Sequence, residues 1–264
     1  SRILHRQFLG NGEIPLFFLN KLLLNSKNFN KFSSKNIFIT GLARGGTTAI
    51  LEAIDKTKDF ASIRYKYMPF ILNPIIANFS SKFFMKKEHS EFERLHGDNL
   101  KIGLNSAECL DEPFWIFLNQ QNNRDTKFLK PYNVSEEHAK AYGFLLNQFC
   151  NIENKKRIVI KNNNNHLRLF SLSTHFPNSK FLVVFRSPLA HALSLLNTHK
   201  RFIRIQDNDK FILEYMNLIG HWEFGKGKKL FIYKNNYQEE RLNKLDHLKI
   251  DYWLMQWIYT YEWI

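Results

Sequence analysis

The sequence predicts an α/β fold in which a central, mainly parallel sheet is flanked by helices. Two apolar runs with β-branched or aromatic residues, Ile37–Thr40 and residues 181–185, are each followed by a turn and a helical pattern. A third run of this kind, residues 157–160, leads into Lys161. Strands that alternate with helices pair in parallel, and 264 residues suit one sizeable domain of this class.

The stretch after the first strand has the composition of an anion-binding loop. It runs Gly41-Leu-Ala-Arg-Gly-Gly-Thr-Thr48 and is followed by good helix formers at residues 49–54. Glycine lets the backbone turn sharply and approach a ligand, and the N–H groups of a helix N-terminus point at an anion. Arg44, Thr47 and Thr48 add further donors. The segment therefore predicts a phosphate- or sulfate-binding loop; the alternative is a glycine-rich turn without a ligand.

This loop departs from the Walker A motif at one informative position. That motif has a lysine six residues after its first glycine, and Thr47 stands there. The cation lies earlier, at Arg44, and Thr48 alone matches the magnesium-binding hydroxyl. The sequence therefore disfavours an ordinary ATPase.

The composition indicates a basic protein with ample core. The formal net charge is +14, and 44% of the residues are hydrophobic, with 25 phenylalanines. Such a charge indicates anionic partners: a nucleotide, a nucleic acid, an acidic glycan or a membrane surface. Cys109 and Cys150 lack metal-site spacing. The longest apolar stretch, residues 14–24, is too short for a bilayer, which takes roughly 20 apolar residues.

The first third of the chain mixes predicted core elements with polar segments. Residues 1–35 are predicted as a helical lead-in and a polar linker, residues 60–65 as a strand, and residues 71–84 as core helices. Arg64 and Lys66 share one face of that strand. They either meet an anionic acceptor or are solvated.

A segment rich in acids supplies candidates for acid/base chemistry. Ser106 is predicted to cap a helix on which Glu108, Asp111 and Glu112 occupy overlapping faces. His96 precedes it in a polar turn, and histidine titrates near neutral pH. His96 and Glu112 are the candidate catalytic acid/base residues; the alternative is a solvated, capped helix after a polar loop.

The second half continues the alternation of helices and strands. Residues 131–150 are predicted as an amphipathic helix capped by Ser135. Residues 162–165, all asparagine, are predicted as a polar loop, and residues 166–175 as a helix.

A second strand–turn–helix unit delivers Arg186 to the end of its strand. Ser187 can cap the next helix, and Pro188 suits its first position. Ligands bind at the carboxyl ends of the strands in open parallel sheets. Arg186 and Lys161 are therefore both expected at the ligand-bearing edge, with the Lys161 ammonium outside the core.

Two motifs together resemble sulfotransferases that use 3′-phosphoadenosine 5′-phosphosulfate (PAPS). Residues 41–48 resemble the loop that binds the 5′-phosphosulfate. Residues 181–197 resemble the segment that binds the 3′-phosphate through a strand-end arginine and a helix serine. Lys161 and its surroundings are similar to the tyrosyl and bacterial branches more than to the cytosolic ones. The resemblance covers about residues 37–200.

The resemblance implies roles for named residues in a P-loop-like sulfotransferase architecture. Lys161 would polarise the sulfuryl group, and PAPS would be the donor, with no metal required. The residues that would bind the donor are Arg44, Gly45, Gly46, Thr47 and Thr48 at the 5′-phosphosulfate, and Arg186 and Ser194 at the 3′-phosphate.

Three departures from the family pattern leave questions open. The histidine base of the cytosolic branch is replaced by Asn163, and residues 60–69 lack the glutamate of the tyrosyl branch, so the base stays open between His96 and Glu112. The later Arg/Lys-Gly segment is also missing. We therefore expect residues 1–264 to form a single sulfotransferase-like domain lacking its C-terminal end. The aromatic helical pattern of residues 252–261 would otherwise be exposed.

The sequence thus predicts sulfuryl transfer from PAPS to a hydroxyl or amine of a glycan, peptide or small molecule, anionic acceptors included. The alternatives are an inactive basic glycan- or nucleotide-binding protein and an atypical P-loop kinase. No nucleic-acid partner or transmembrane segment is expected. A cytoplasmic location is expected, with a lumenal secretory compartment as the alternative if a membrane anchor precedes the sequence. The acceptor and the oligomeric state are not predicted.

Overall fold

The chain alternates short strands with helices over the residues that the computed structural model describes, which are 2–7, 35–84, 92–93, 101–108, 110–118 and 126–264. The strands are Ile37–Thr40 (β1), Phe92–Glu93 (β2), Lys101–Ile102 (β3), Phe128–Leu129 (β4), Val159–Lys161 (β5), Lys180–Val183 (β6) and Leu230–Phe231 (β7). The helices are Arg2–Gln7 (α1), Thr47–Asp55 (α2), Pro74–Phe84 (α3), Glu112–Leu118 (α4), Glu136–Ile152 (α5), Leu169–His175 (α6), Pro188–Asn208 (α7), Lys210–Leu218 (α8), Asn236–Asn243 (α9) and Ile250–Trp263 (α10), with 3₁₀ turns at Tyr65–Tyr67 and Asn163–Leu167.

A three-stranded parallel sheet in the order β5–β1–β6 organises the fold. Ile37 of β1 lies opposite Val159 of β5 on one side and Lys180 of β6 on the other. Because all three strands run in the same direction, their carboxyl ends meet at one edge. The predicted α/β class with a central parallel sheet is confirmed.

Alternate residues of β1 pack against helices on opposite faces of the sheet. Phe38 is fully buried, stacks with Phe176, which follows α6, and packs at a tilt against Tyr142 of α5. Ile39 is also fully buried and packs in a separate cluster with Leu51 of α2. This alternation is the strand periodicity that the sequence shows, and it places helices on both sides.

Helices α7 and α10 form a second apolar layer beside the sheet. Tyr252 and Trp253 of α10 are 1% and 2% exposed and pack in one cluster with residues of α7 and β7. Trp257 and Tyr261 are half-buried. Helix α7 therefore covers much of the aromatic surface of α10.

Several local predictions hold. Ser135 caps α5, and its Oγ accepts a hydrogen bond from the His138 N–H. Pro188 opens α7 directly after Ser187, although the Ser187 side chain makes no capping bond. The helix predicted at residues 166–175 is present as a 3₁₀ turn followed by α6. Of the predicted lead-in and linker, the structure describes α1 and Lys35, and the rest lies outside the described residues.

Two local predictions are wrong. Residues 60–65 form no regular strand and contribute isolated bridges, such as that from Ala61 to Ile158. Ser106 caps no helix: its Oγ accepts from the Gly103 N–H in a turn, and the next helix begins only at Glu112. Arg64 binds Asp55 and Glu153, so its charge is neutralised internally.

The described helices include none with the length and apolarity needed to cross a membrane.

Candidate functional site

The candidate site is built on the common edge where β1, β5 and β6 end. The glycine-rich loop follows Thr40, the asparagine run follows Lys161, and Arg186 comes three residues after β6. The predicted donor-binding segments therefore leave the sheet side by side.

The backbone of the loop needs glycine at two positions. Gly41 has a φ of +137°, and a Cβ there would lie 2.3 Å from the carbonyl oxygen of Val184. Gly46 has a φ of +100° and precedes Thr47, where α2 begins. The first helical bond runs from the Ile50 N–H to the Gly46 carbonyl. The earlier N–H groups of the helix have no acceptor within it, which is the arrangement that binds anions.

The loop is held to the segment that follows Lys161. The Thr40 hydroxyl donates to the Asn163 carbonyl at 3.1 Å, and the Thr47 hydroxyl donates to Asn163 Oδ1 at 3.2 Å. Thr47 was predicted to contact the anion through its hydroxyl, but that hydroxyl is buried against Asn163. Its backbone N–H remains part of the helix terminus. Thr48 is half-buried.

Three predicted donor-binding side chains converge next to the helix terminus. Arg44 Nε lies 3.3 Å from Ser194 Oγ of α7, and a guanidinium nitrogen of Arg186 lies 3.5 Å from the Arg44 carbonyl. Arg186 is exposed, while Arg44 and Ser194 are half-buried. Two guanidinium groups beside the positive end of a helix dipole create a field that favours an anion.

Lys161 lies at the predicted edge, but its side chain is buried. Lys161 Nζ donates to Glu108 Oε1 at 2.6 Å, and the two side chains are 3% and 5% exposed. The expectation that the ammonium lies outside the core is therefore wrong. A sequence separation of 53 residues concealed the pairing. Glu108 was recognised only as one acid on a predicted helix face.

Glu112 forms a buried ion pair below the site. It binds Arg168 at 2.5 Å and accepts from the Asn162 amide at 2.8 Å. Arg168 also stacks over the Trp115 ring at 4.5 Å. This geometry favours a structural role for Glu112, and its catalytic role stays a prediction. His96 lies outside the described residues.

The asparagine run, residues 162–165, was predicted as a polar loop, and all four side chains are buried. Each side chain has at least one hydrogen-bond partner, but Asn164 Oδ1 and Asn165 Nδ2 have none among the described residues. Asn163 donates to Glu223, Asn164 donates to the Gly220 carbonyl, and Asn165 accepts from Arg168. The run is therefore an internal hydrogen-bonded support for the site.

Two buried carboxyl groups that bind side chains of the asparagine run have pKa values shifted in opposite directions. Burial raises the pKa of Asp111 to about 6, and the Arg168 charge and the hydrogen bond from Tyr142 only partly oppose it. Burial alone would raise the pKa of Glu223, but the His221 charge and hydrogen bonds from His221 and Asn163 lower it to about 2. The interior beneath the site thus holds a carboxyl group that titrates near pH 6.

The arrangement can bind an anion and neutralise charge at one edge of the sheet. No group of three or more His, Cys, Asp or Glu residues within the described part of the chain could hold a metal ion.

The chain matches one protein-family model and resembles a solved structure. The model described as "Sulfotransferase family" matches residues 36–233. The crystal structure of sulfotransferase STF9 from Mycobacterium avium is 11% identical, covers 98% of this chain and 74% of its own, and superposes with a TM-score of 0.39. A search of curated proteins returned no match.

Proposed function

The chain belongs to the sulfotransferase family, and from that premise we propose that it transfers a sulfuryl group from PAPS to a hydroxyl or amine of an acceptor. The single observation that carries the choice of donor is the convergence of Arg44, Arg186 and Ser194 beside the start of α2. A nucleotide with two separated anionic groups can use all of these contacts. ATP lacks the 3′-phosphate that Arg186 and Ser194 would bind.

In this proposal the loop binds the 5′-phosphosulfate through backbone N–H groups. Gly45, Gly46, Thr47 and Thr48 supply the helix terminus, and Arg44 supplies a guanidinium charge. The fit is supported by Gly41, because a side chain there would collide with Val184 and displace the loop.

We place Lys161 and Glu108 at the reacting centre. The acceptor oxygen or nitrogen attacks sulfur, the bond from sulfur to the bridging oxygen breaks, and adenosine 3′,5′-bisphosphate leaves. Lys161 is a compact positive charge that neutralises the charge growing on the bridging oxygen. Glu108, 2.6 Å from Lys161, takes the acceptor proton. Glu108 thus joins His96 and Glu112 as a candidate base and is the one next to Lys161.

The finer parts of the assignment belong to the same proposal. The resemblance to the tyrosyl and bacterial branches, a cytoplasmic location and the absence of a nucleic-acid partner remain proposals. The net charge of +14 favours anionic acceptors. Screening labelled-sulfate transfer to glycan, peptide and small-molecule acceptors identifies the class.

Ligand binding tests the donor assignment directly. We expect adenosine 3′,5′-bisphosphate to raise the melting temperature and to bind in calorimetry, while ATP does neither. A ligand at 100 times its Kd stabilises the folded state by about 2.7 kcal/mol. Equal stabilisation by both nucleotides would refute the 3′-phosphate assignment, and binding without transfer to any acceptor would favour a non-catalytic binding protein.

A further inference from the structure

Two side chains that do not belong to the predicted anion contacts connect the halves of the donor site. The first half is the loop of residues 41–48, and the second is the segment of Arg186 and Ser194. The connecting residues are Tyr261 of α10 and His191 of α7.

The Tyr261 hydroxyl bonds to both halves at once. It accepts from the Leu42 N–H at 3.2 Å and donates to the Val184 carbonyl at 2.8 Å. Leu42 lies in the loop, and Val184 stands two residues before Arg186. Burial raises the pKa of Tyr261 to about 12, so the hydroxyl keeps its proton at neutral pH. One atom therefore bridges the loop and the strand end, in addition to the backbone bond from the Val184 N–H to the Thr40 carbonyl.

His191 makes a second connection from the helix that carries Ser194. Its side chain is fully buried, and Nε2 lies 2.8 Å from the Ala43 carbonyl oxygen. A carbonyl only accepts, so Nε2 carries the proton. Nδ1 is buried without a hydrogen-bond partner among the described residues. Burial lowers the pKa of His191, and nearby Arg186 and Arg44 lower it further, which keeps the ring neutral.

We propose that Tyr261 and His191 are positioning residues that fix the distance between the 5′-phosphosulfate and 3′-phosphate sites. This inference rests on the proposed function. A ligand with two anionic groups gains from the second contact only when both sites are held at the matching distance. The two residues therefore select nucleotides that carry both groups, and nucleotides with one group are bound equally well without them.

The test measures the affinity of adenosine 3′,5′-bisphosphate relative to 5′-AMP. In Tyr261→Phe we expect this ratio to fall about 5- to 10-fold, the scale of one lost hydrogen bond, with 5′-AMP affinity unchanged. Tyr259→Phe is the matched control, because the Tyr259 hydroxyl is buried on the same helix and has no hydrogen-bond partner among the described residues. The control should keep the wild-type ratio.

A pair of His191 variants measures the same quantity independently. His191→Gln places an N–H donor near the position of Nε2 and should keep most of the ratio, whereas His191→Phe should lower it to the level of Tyr261→Phe. If Tyr261→Phe fails to fold, this pair decides.

The outcomes separate the inference from the proposed function. If the wild-type protein binds no bisphosphate, the proposed function falls and the inference falls with it. If the wild type binds the bisphosphate, and the affinity ratios of Tyr261→Phe and His191→Phe both equal the wild-type ratio, the positioning role is overturned while the proposed function stands. If a variant loses affinity for adenosine 3′,5′-bisphosphate and for 5′-AMP equally, the positioning role is overturned as well. Such a loss indicates a general disturbance of the loop, which weakens the binding of both nucleotides alike.

Discussion

Burial changes what a mutation of Lys161 measures. The ammonium and the Glu108 carboxylate are both almost inaccessible and lie 2.6 Å apart. Removing one partner of a buried ion pair leaves an uncompensated charge and costs about 3–5 kcal/mol of stability. Loss of activity in a single Lys161 variant would therefore mix unfolding with loss of catalysis.

A double variant separates the two effects. Lys161→Met combined with Glu108→Gln replaces the pair by neutral groups of similar size, so we expect a melting temperature closer to wild type than that of Lys161→Met alone. Under the proposed mechanism, turnover should still fall by at least ~100-fold, because one electrostatic donor at the proposed reacting centre is gone. Affinity for adenosine 3′,5′-bisphosphate should change little. A folded double variant with near-normal turnover would exclude both residues from the chemistry.

Arg186 allows a simpler test, because its side chain is exposed and its removal leaves no buried charge. We expect Arg186→Ala to remain folded and to lose roughly 1.5–3 kcal/mol of binding free energy for the bisphosphate in calorimetry, as for a hydrogen bond to a charged group. Arg204→Ala removes an exposed arginine further along α7 and is the matched control. Equal losses in the two variants would mean that net charge, and not a specific contact, sets the affinity.

Residue identities at the site were predictable where chemistry follows local pattern. Arg44 and Arg186 were predicted at one sheet edge because each stands in a turn after an apolar strand, and the structure places them together there. Glu108 was not assigned to Lys161, since nothing local links residues 53 positions apart. The burial of the asparagine run was not predicted for a related reason. Buried amides need hydrogen-bond partners, and here distant segments of the fold supply them.

At the scale of elements, repeated strand–turn–helix units made the fold predictable. β1, β5 and β6 carry β-branched or aromatic residues and are followed by turns, so their existence and parallel pairing followed from pattern. Residues 60–65 have a similar composition but form only isolated bridges. The packing of the α10 aromatic residues against α7 could not be predicted from the sequence either, because it is a tertiary contact.

The conformation of the loop at Gly41 predicts that adding a single methyl group there lowers both stability and ligand binding. Gly41→Ala would force a left-handed φ on alanine and press its Cβ to 2.3 Å from Val184 O. We expect a loss of about 1–3 kcal/mol in unfolding free energy, the scale of local backbone strain, with weaker bisphosphate binding. Gly227→Ala is the control, because Gly227 lacks a positive φ and its added Cβ would meet a side-chain atom, Asn217 Oδ1 at 2.7 Å, and not the backbone. A small effect at Gly41 together with normal binding would contradict the observed loop shape.

At the scale of the whole molecule, the interior is more polar than the composition suggests. Glu108, Asp111, Glu112 and Glu223 are all buried beneath or beside the site. Each has a cation, amide or hydroxyl as partner, which is the condition under which proteins bury charge. The sequence predicts the sheet edge at which the candidate ligand-binding residues meet. The network of buried acids depends on contacts between distant segments, so it could not be predicted.

Asp111 makes the stability of the fold depend on pH in a specific direction. The pKa of this buried carboxyl is about 6 in the folded protein, against an ordinary value of 3.8. The folded state therefore holds the proton more tightly, which stabilises it below pH 4. This contribution, about 3 kcal/mol for a shift of this size, is lost as the pH rises from about 4 to about 6.

We predict that Asp111→Asn, which is neutral at every pH, gains unfolding free energy relative to wild type as the pH rises from 4 to 7. Denaturant unfolding at several pH values measures this difference. Burial lowers the pKa of His166 to about 4, and that titration cancels because both proteins share it. Glu223→Gln is the control: with a pKa of about 2, the carboxylate of Glu223 is ionised throughout, so its difference from wild type should be flat between pH 5 and 7. A flat difference for Asp111→Asn as well would show that Asp111 does not titrate in this range.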